Sequence, residues 1–126
     1  MARIMIAEDA DEIRLLLKDL LRIGNHEVVA EAVNGNDAVT KFMETKPDVL
    51  LLDIAMPKKD GLDTLKEIIA TNPNAKIVMI TASDNLDTIT QCTEKGALAY
   101  LIKPFDSEQV TTAIAMALDE QPEITN

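Results

Sequence analysis

Aromatic side chains and cysteines are scarce in this sequence. It contains no Trp, one Tyr and two Phe, too few for the exposed aromatic platforms on which proteins stack nucleic-acid bases. The single cysteine, Cys92, cannot form an internal disulfide, which fits a reducing compartment. Because no His or Cys adjoins it, we interpret Cys92 as a half-buried structural thiol and not as a nucleophile or zinc ligand.

An excess of basic charge and long apolar runs are also missing. Twelve Lys and Arg stand against 22 Asp and Glu, a net charge of −10, which disfavours binding to a phosphate backbone and suits contact with proteins or a cation. No apolar run approaches the roughly 20 residues that span a bilayer, and we expect no signal peptide. We therefore expect a cytoplasmic protein without membrane insertion or direct nucleic-acid contact.

The chain has 126 residues, 47% of them hydrophobic, which suits one domain with one core. We place this domain at residues 1–120, followed by a polar C-terminal tail at 121–126. Five apolar runs of strand length alternate with helical segments, at residues 4–7, 28–32, 49–52, 77–80 and 98–102. Strict alternation predicts an α/β fold with a five-stranded parallel sheet flanked by five helices. Glu27 and Glu31 suit an edge position for the second strand.

The helices are recognised by apolar spacing and by the residues that end them. In the first helix the inward stripe is predicted at Ile13, Leu16, Leu17 and Leu20. Gly24-Asn25, Asn72-Pro73-Asn74 and Lys95-Gly96 are predicted to end the first, third and fourth helices. The fourth helix, residues 85–95, has little apolar surface and is expected to be held weakly; its predicted inward residues are Leu86, Ile89 and Cys92.

Reactive side chains stand directly after four of the predicted strands. These are Glu8 and Asp9, then Asp53, Thr81 and Lys103. Open parallel sheets bind ligands outside the carboxyl ends of their strands, so these groups are predicted to meet at one edge. Asp53 follows four apolar residues, and carboxylates are seldom placed beside a dry core without partners.

Each of these residues has an ordinary explanation when it is taken alone. Asp9 could cap the first helix, and Thr81 or Ser83 could cap the fourth. Lys103 could be a surface lysine. The combination of all of them at one edge favours a site.

Clustered carboxylates repel one another, and a hard divalent cation relieves the repulsion. We predict a Mg²⁺ site, with Mn²⁺ as a substitute, whose acidic ligands are Glu8, Asp9 and Asp53. The lone His26 lies away from this edge and is expected to be solvated, so zinc is disfavoured. A carboxylate oxygen beside Mg²⁺ can act as a nucleophile toward phosphorus. Lys103 would then share the charge of the transferring group, and Thr81 would hydrogen-bond it.

From about Arg3 to Leu118 the sequence resembles the CheY-like receiver domains of two-component response regulators. The motifs that carry the resemblance are Glu8-Asp9, Asp53-Ile54-Ala55-Met56-Pro57, Asp60-Gly61, Ile80-Thr81-Ala82, Tyr100 and Lys103-Pro104-Phe105. The resemblance implies strand order 2-1-3-4-5, as in flavodoxin-like folds, for which a receiver protein is the usual example.

The resemblance also implies a role for each site residue. Asp53 is the phosphoacceptor, the Glu8-Asp9 pair binds the metal with the Ala55 carbonyl, and Lys103 contacts the phosphoryl oxygens. The Lys103-Pro104 bond is expected to be cis.

The remaining implied roles concern switching and phosphate lifetime. Thr81 and Tyr100 form the switch pair, which reshapes the face made by the fourth helix, fifth strand and fifth helix. Ala55 and Ser83 occupy the positions that set phosphate lifetime, and their small side chains predict a short one.

The predicted function is a phosphorylation-dependent signalling switch that catalyses only its own phosphoryl transfer and autodephosphorylation. Its expected partners are a sensor histidine kinase or phosphotransfer protein of a phosphorelay and an output protein, with chemotaxis one pathway. It is expected to be a monomer or a phosphorylation-dependent dimer. Met1 and the brief tail favour a free-standing regulator.

Several other classes of protein share parts of this pattern. A receiver cut from a longer regulator such as a transcription factor stays open, as does a pseudo-receiver scaffold that is not phosphorylated. A haloacid-dehalogenase-like phosphatase is disfavoured because Ala55 stands where its second Asp would be. A flavodoxin-like carrier is disfavoured because Glu8-Asp9 would repel a flavin phosphate. A P-loop NTPase is excluded because the sequence lacks the motif G-x-x-x-x-G-K-[ST].

Overall fold

The computed structural model describes residues 2–119, and the predicted tail at 121–126 lies outside them. Five parallel strands form one sheet in the order β2-β1-β3-β4-β5. The strands are β1 Arg3–Ala7, β2 Glu27–Ala32, β3 Val49–Asp53, β4 Ile77–Thr81 and β5 Ala99–Ile102. The helices are α1 Asp11–Ile23, α2 Gly35–Thr45, α3 Gly61–Thr71, α4 Leu86–Glu94 and α5 Ser107–Leu118. The predicted fold class, strand order and edge position of the second strand are confirmed.

Two apolar clusters cover the two faces of the sheet. Alternate residues of each strand point to opposite faces, so Ile4 and Ile6 of β1 pack with α1 and α5. Met5 and Ala7 of the same strand pack with α2 and α3, and with Cys92 of α4. Because β1, β3 and β4 are covered on both faces, their apolar runs are buried, as predicted for central strands.

Two predicted inward residues and the solvated histidine are wrong. Leu16 is 41% exposed, because the buried stripe of α1 runs through Leu17 and Leu21; three consecutive leucines leave the phase of a helix undetermined. Leu86 is 74% exposed, at the first position of α4. His26 is half-buried, and its Nδ1 accepts the backbone N–H of Ala2 at 3.1 Å.

The predicted helix ends are confirmed, and the alternative helix caps are not found. The C-cap residues of α1, α3 and α4 are Gly24, Asn72 and Lys95. The residue before α1 is Ala10, without a side-chain cap, so Asp9 does not cap this helix. Asn85 caps α4 in place of Thr81 or Ser83. Among residues 2–119, every helix is too short or too polar to cross a bilayer.

Candidate phosphoryl-transfer site

Four strands deliver the predicted site residues to one edge of the sheet. Glu8 and Asp9 follow β1, Asp53 is the last residue of β3, Thr81 ends β4 and Lys103 follows β5. Glu8, Asp53 and Thr81 are 0%, 1% and 5% exposed, whereas Asp9 faces solvent. The structure therefore brings together all five residues that the sequence placed at this edge.

The three carboxylates converge on one point. Each of Glu8, Asp9 and Asp53 offers an oxygen, and these oxygens all lie within 4.8 Å of one another. Lys103 lies beside two of them, with Nζ 3.0 Å from Glu8 Oε1 and 3.4 Å from Asp53 Oδ2. One ammonium contacts two of the three carboxylates, so the pocket carries an excess of negative charge.

The Glu8 carboxylate has one engaged oxygen and one that makes no hydrogen bond. Oε2 accepts the backbone N–H of Ala10 at 3.0 Å. Oε1 is buried and, although it is close to Lys103, has no hydrogen bond in the described residues. Buried carboxylate oxygens normally have partners. An all-oxygen donor set whose buried Glu8 oxygen is offset only by the Lys103 ammonium fits a hard divalent cation such as Mg²⁺.

Burial and crowding shift the protonation of Asp53. Burial of its carboxylate, and then the nearby charge of Glu8, raise the pKa of Asp53 to about 7, although Lys103 opposes the rise. Burial alone would lower the pKa of the Lys103 ammonium, but Glu8 and Asp53 outweigh burial and raise it. Lys103 therefore stays charged while Asp53 loses its proton near neutral pH.

Ala55 and Ser83, the two predicted lifetime positions, lie in the loops that follow β3 and β4. The backbone N–H of Ala55 points toward Asp53 Oδ1 at 3.4 Å, and the Ala55 side chain is exposed. Ser83 is half-buried, and its hydroxyl accepts the backbone N–H of Asn85 at 3.0 Å. The metal-binding role of the Ala55 carbonyl stays a prediction.

Of the predicted switch pair, Thr81 is buried and Tyr100 is partly exposed. Thr81 Oγ1 accepts the backbone N–H of Ser83 at 3.0 Å and is therefore held by its own loop. Tyr100 is 45% exposed on β5. Cys92 is the one fully buried residue of α4, so the helix next to this pair has the weak anchorage that the sequence indicated. The Lys103-Pro104 bond is cis.

Two residues that support the site were not predicted from the sequence. The Arg14 side chain donates to the backbone carbonyl of Glu8 at 2.9 Å. Gly61 lies under Asp53, where a Cβ would overlap the Asp53 carbonyl oxygen and come within 2.6 Å of Ile54 Cα. The Asp60-Gly61 motif gave a signal for Gly61. No local pattern reveals the role of Arg14, because its contact with Glu31 joins α1 to β2 and its contact with Glu8 is to a backbone carbonyl.

The chain matches one protein family over most of its length. The model of the response regulator receiver domain covers residues 4–115. The chemotaxis protein CheY of Listeria monocytogenes is 39% identical over 117 residues, which are 93% of this chain and 98% of that protein. The transcriptional regulatory protein PdtaR of Mycobacterium tuberculosis is 40% identical over 123 residues, 98% of this chain but 60% of the relative.

Solved structures give the same result. CheY in the Borrelia burgdorferi CheX-CheY-BeF₃-Mg²⁺ complex superposes with a TM-score of 0.87 at 28% identity, over 90% of this chain and 86% of that one. A response regulator receiver domain protein of Clostridium thermocellum superposes with a TM-score of 0.87 at 30% identity, over 94% and 95% of the two chains.

Proposed function

Because the chain belongs to the response regulator receiver domain family of two-component signalling, we propose that it is a phosphorylation-dependent switch whose phosphoacceptor is Asp53. One observation carries the proposal. Asp53 is a buried carboxylate, 1% exposed, with two further carboxylates within 4.8 Å and an ammonium at 3.4 Å. An isolated structural carboxylate would not be placed among like charges.

The reaction is transfer of a phosphoryl group from a phosphohistidine of a kinase or phosphotransfer protein. A carboxylate oxygen of Asp53 forms a bond to phosphorus, and the phosphorus–nitrogen bond of the donor breaks. The imidazole nitrogen leaves with the electron pair and takes up a proton. Asp53 must be deprotonated to attack, which its pKa of about 7 allows in neutral solution. Lys103 offsets the negative charge of the incoming phosphoryl oxygens.

Glu8, Asp9 and Asp53 would hold Mg²⁺, or Mn²⁺ in its place, together with the backbone carbonyl of Ala55. When bound, the cation supplies positive charge that offsets the repulsion between the carboxylates and the phosphoryl group. Glu8 contributes the buried Oε1, which has no hydrogen bond in the described residues. Asp9 contributes a solvent-facing carboxylate at the open side of the pocket.

The signal leaves the site through Thr81 and Tyr100. The Thr81 hydroxyl exchanges its contact with Ser83 for one with the new phosphoryl group, and the exposed Tyr100 ring turns inward. The output surface is the face formed by α4, β5 and α5, where Tyr100 and Met116 line one depression together with Leu98, which directly precedes β5; these three are 45%, 59% and 47% exposed. Exposed apolar side chains grouped on one face are typical of a protein-binding surface.

The phosphoryl group is then lost by autodephosphorylation. Ala55 carries a small side chain on the solvent side of Asp53, and Ser83 carries another beside Thr81. Small side chains leave room for an attacking water, so we expect a lifetime much shorter than days. This lifetime is measured by following the amount of phosphoprotein after the phosphoryl donor is removed.

The experiment that tests the function is phosphorylation of the purified chain by acetyl phosphate with Mg²⁺. We expect one phosphoryl group per chain by intact mass, none in Asp53→Asn, and normal labelling in Asp48→Asn, a solvent-exposed Asp that follows α2. Beryllium fluoride with Mg²⁺ should shift the amide spectrum of the wild type and leave Asp53→Asn unchanged. Labelling that survives in Asp53→Asn would contradict the proposal, and so would a wild type that takes up no phosphate.

Two forms of output are compatible with the relatives. The CheY relatives have nearly the length of this chain and carry a chemotaxis name, which favours a partner protein. PdtaR is longer and is named as a transcriptional regulator, which favours a receiver attached to an output domain. Affinity capture with and without beryllium fluoride, followed by identification of the retained proteins, distinguishes the two by the class of protein retained.

A further inference from the structure

Arg14 of α1 lies outside the acidic cluster but is bound to its backbone. Its guanidinium donates in three directions: Nη1 to the Glu8 carbonyl at 2.9 Å, Nε to Glu31 Oε1 at 3.0 Å and Nη2 to Asp11 Oδ1 at 2.6 Å. The side chain is only 17% exposed. The fixed fork of an arginine permits three such directions at once, which the point charge of a lysine does not.

The bond from Arg14 completes the fixation of the segment between β1 and α1. The N–H of Glu8 donates to the Ala32 carbonyl at 3.0 Å, and the N–H of Ala10 donates to Glu8 Oε2 at 3.0 Å. Asp9 lies between these anchored residues and makes no hydrogen bond or ion pair with any described part of the chain. The place of the Asp9 carboxylate is therefore set by the backbone on either side of it.

We propose that Arg14 is a positioning residue for the cation site, which holds the Glu8-Asp9 segment so that both carboxylates stay directed at Asp53. The inference rests on the proposed function, because it assigns Arg14 to the Mg²⁺ site of the same pocket. Arg14 contacts none of the three carboxylates and acts through the carbonyl of Glu8.

The effect of removing Arg14 on Mg²⁺ affinity depends on whether Arg14 acts through its charge or by positioning the backbone. If Arg14 acted through its charge, it would repel a bound cation, and removing it would tighten Mg²⁺ binding. If it acts by position, removing it weakens Mg²⁺ binding although a positive charge has been deleted. Asp11 and Glu31 already offset the charge of Arg14 at hydrogen-bond distance, so we expect the loss of position to dominate.

The test uses Arg14→Lys, which keeps the charge and loses the fork, and Arg14→Met, which loses both. The matched control is Arg22→Lys in the same helix. Arg22 forms the same i,i+3 ion pair, with Asp19 at 2.5 Å, but is 77% exposed and far along α1 from the pocket. Mg²⁺ is titrated calorimetrically into each protein at pH 8, where Asp53 is mostly ionised, and thermal unfolding of each is recorded.

Outer residues that orient metal ligands typically change affinity by about 10-fold or more. We expect about 10-fold weaker Mg²⁺ binding in both Arg14 variants and a change of less than about 2-fold in Arg22→Lys. Hydrogen exchange of the Ala10 amide should also be faster in Arg14→Lys, since its bond to Glu8 Oε2 is loosened.

Each contrary outcome has its own meaning. An Arg14→Lys protein that melts lower but binds Mg²⁺ like the wild type would overturn the inference, because the role would then be structural only. Tighter binding by Arg14→Met would also overturn it, in favour of a charge effect. If the wild type binds no Mg²⁺, the metal site of the proposed function fails, and this inference fails with it. Arg14→Lys carries the comparison if Arg14→Met does not fold.

Discussion

The amino edge of the sheet, where the strands begin, is held by Arg3. Its guanidinium donates to the carbonyls of Thr45 and Lys46 at 2.8 and 2.9 Å, and its backbone N–H donates to the Asp48 carboxylate at 2.8 Å. These charged side chains face solvent. At the carboxyl edge, Glu8 and Asp53 are almost wholly buried and share one ammonium. The same strand, β1, ends in a satisfied polar network on one side and in a crowded anionic pocket on the other.

The difference separates what holds the fold together from what the fold is used for. The amino edge closes α2 and β3 against β1 with ordinary hydrogen bonds. The carboxyl edge places like charges at close range, which costs stability and is typical of functional sites. Substitutions at the two edges should therefore change the free energy of unfolding by amounts that differ in sign as well as in size.

The largest contrast is expected for glycine substitutions at the two edges. In Gly61→Ala, at the carboxyl edge, the new methyl group would overlap the Asp53 carbonyl and push the phosphoacceptor out of place. We expect a loss of about 3 kcal/mol in the free energy of unfolding, measured in urea. Phosphorylation by acetyl phosphate should be impaired as well.

Gly24→Ala is the matched change at the amino edge. The nearest atom to its Cβ would be His26 Cδ2 at 3.3 Å, a side-chain atom that can shift, and the Gly24 backbone has an ordinary φ of −80°. We expect a change within about 1 kcal/mol. Equal losses in the two variants would mean that the packing under Asp53 is not unusually tight.

Neutralising one carboxylate at each edge is expected to give effects of opposite sign. Without Mg²⁺ at pH 8, Asp53→Asn should raise the free energy of unfolding by about 2 kcal/mol, because it removes a buried charge from the neighbourhood of Glu8. Asp48→Ala should lower it by about 1 kcal/mol, because it removes the acceptor of the Arg3 N–H. Both follow from chemical unfolding curves.

Saturating Mg²⁺ should reduce or reverse the stability advantage of Asp53→Asn over the wild type. The wild type gains stability from the bound cation by mass action, and a variant that has lost one ligand gains less. Asp48→Ala should gain as much as the wild type. A destabilised Asp53→Asn in metal-free buffer would show that the pocket is not crowded.

The pH dependence of stability without metal should follow Asp53. Its pKa in the folded state is about 7 against an ordinary value of 3.8, so between these values the folded protein binds more protons than the unfolded chain. Stability therefore falls as pH rises through this window, by about 1.4 kcal/mol between pH 6 and pH 8. Unfolding curves at the two pH values measure the fall.

Asp53→Asn is the control for this titration, because it should remove most of that dependence. A rise in wild-type stability over the same range would indicate a depressed pKa for Asp53. In that case the effect of Lys103 on the pKa of Asp53 would outweigh the combined effect of burial and Glu8.

The sequence predicted those features that depend on periodicity and on chain order. Five apolar runs gave five strands, and the rule that ligands bind at the carboxyl ends of parallel strands placed Glu8, Asp53 and Lys103 together although up to 95 residues separate them along the chain. The strand order was taken from the resemblance, since alternation alone permits others.

The features that were missed or wrong depend on neighbours that a sequence does not reveal. Leu16 and Leu86 have the spacing of inward residues but lie exposed, because the packing partner sets the phase of a helix. The buried Glu8 oxygen without a hydrogen bond and the reach of Arg14 to Glu31 are contacts between separate elements. His26 accepts a hydrogen bond from the N–H of Ala2, just before β1, which no local pattern indicated.

The smallest expected effect is at the amino edge, in Arg3→Met. The change removes two hydrogen bonds from an exposed guanidinium to the end of α2, and water can take over both carbonyls. We expect a loss of about 0.5 to 1 kcal/mol in the free energy of unfolding. Mg²⁺ affinity and phosphorylation by acetyl phosphate should be unchanged, because Arg3 lies at the opposite end of β1 from Glu8. If Arg3→Met weakened Mg²⁺ binding as much as Arg14→Lys, the two edges would be coupled through the sheet, and the separation between a stabilising edge and a functional edge would not hold.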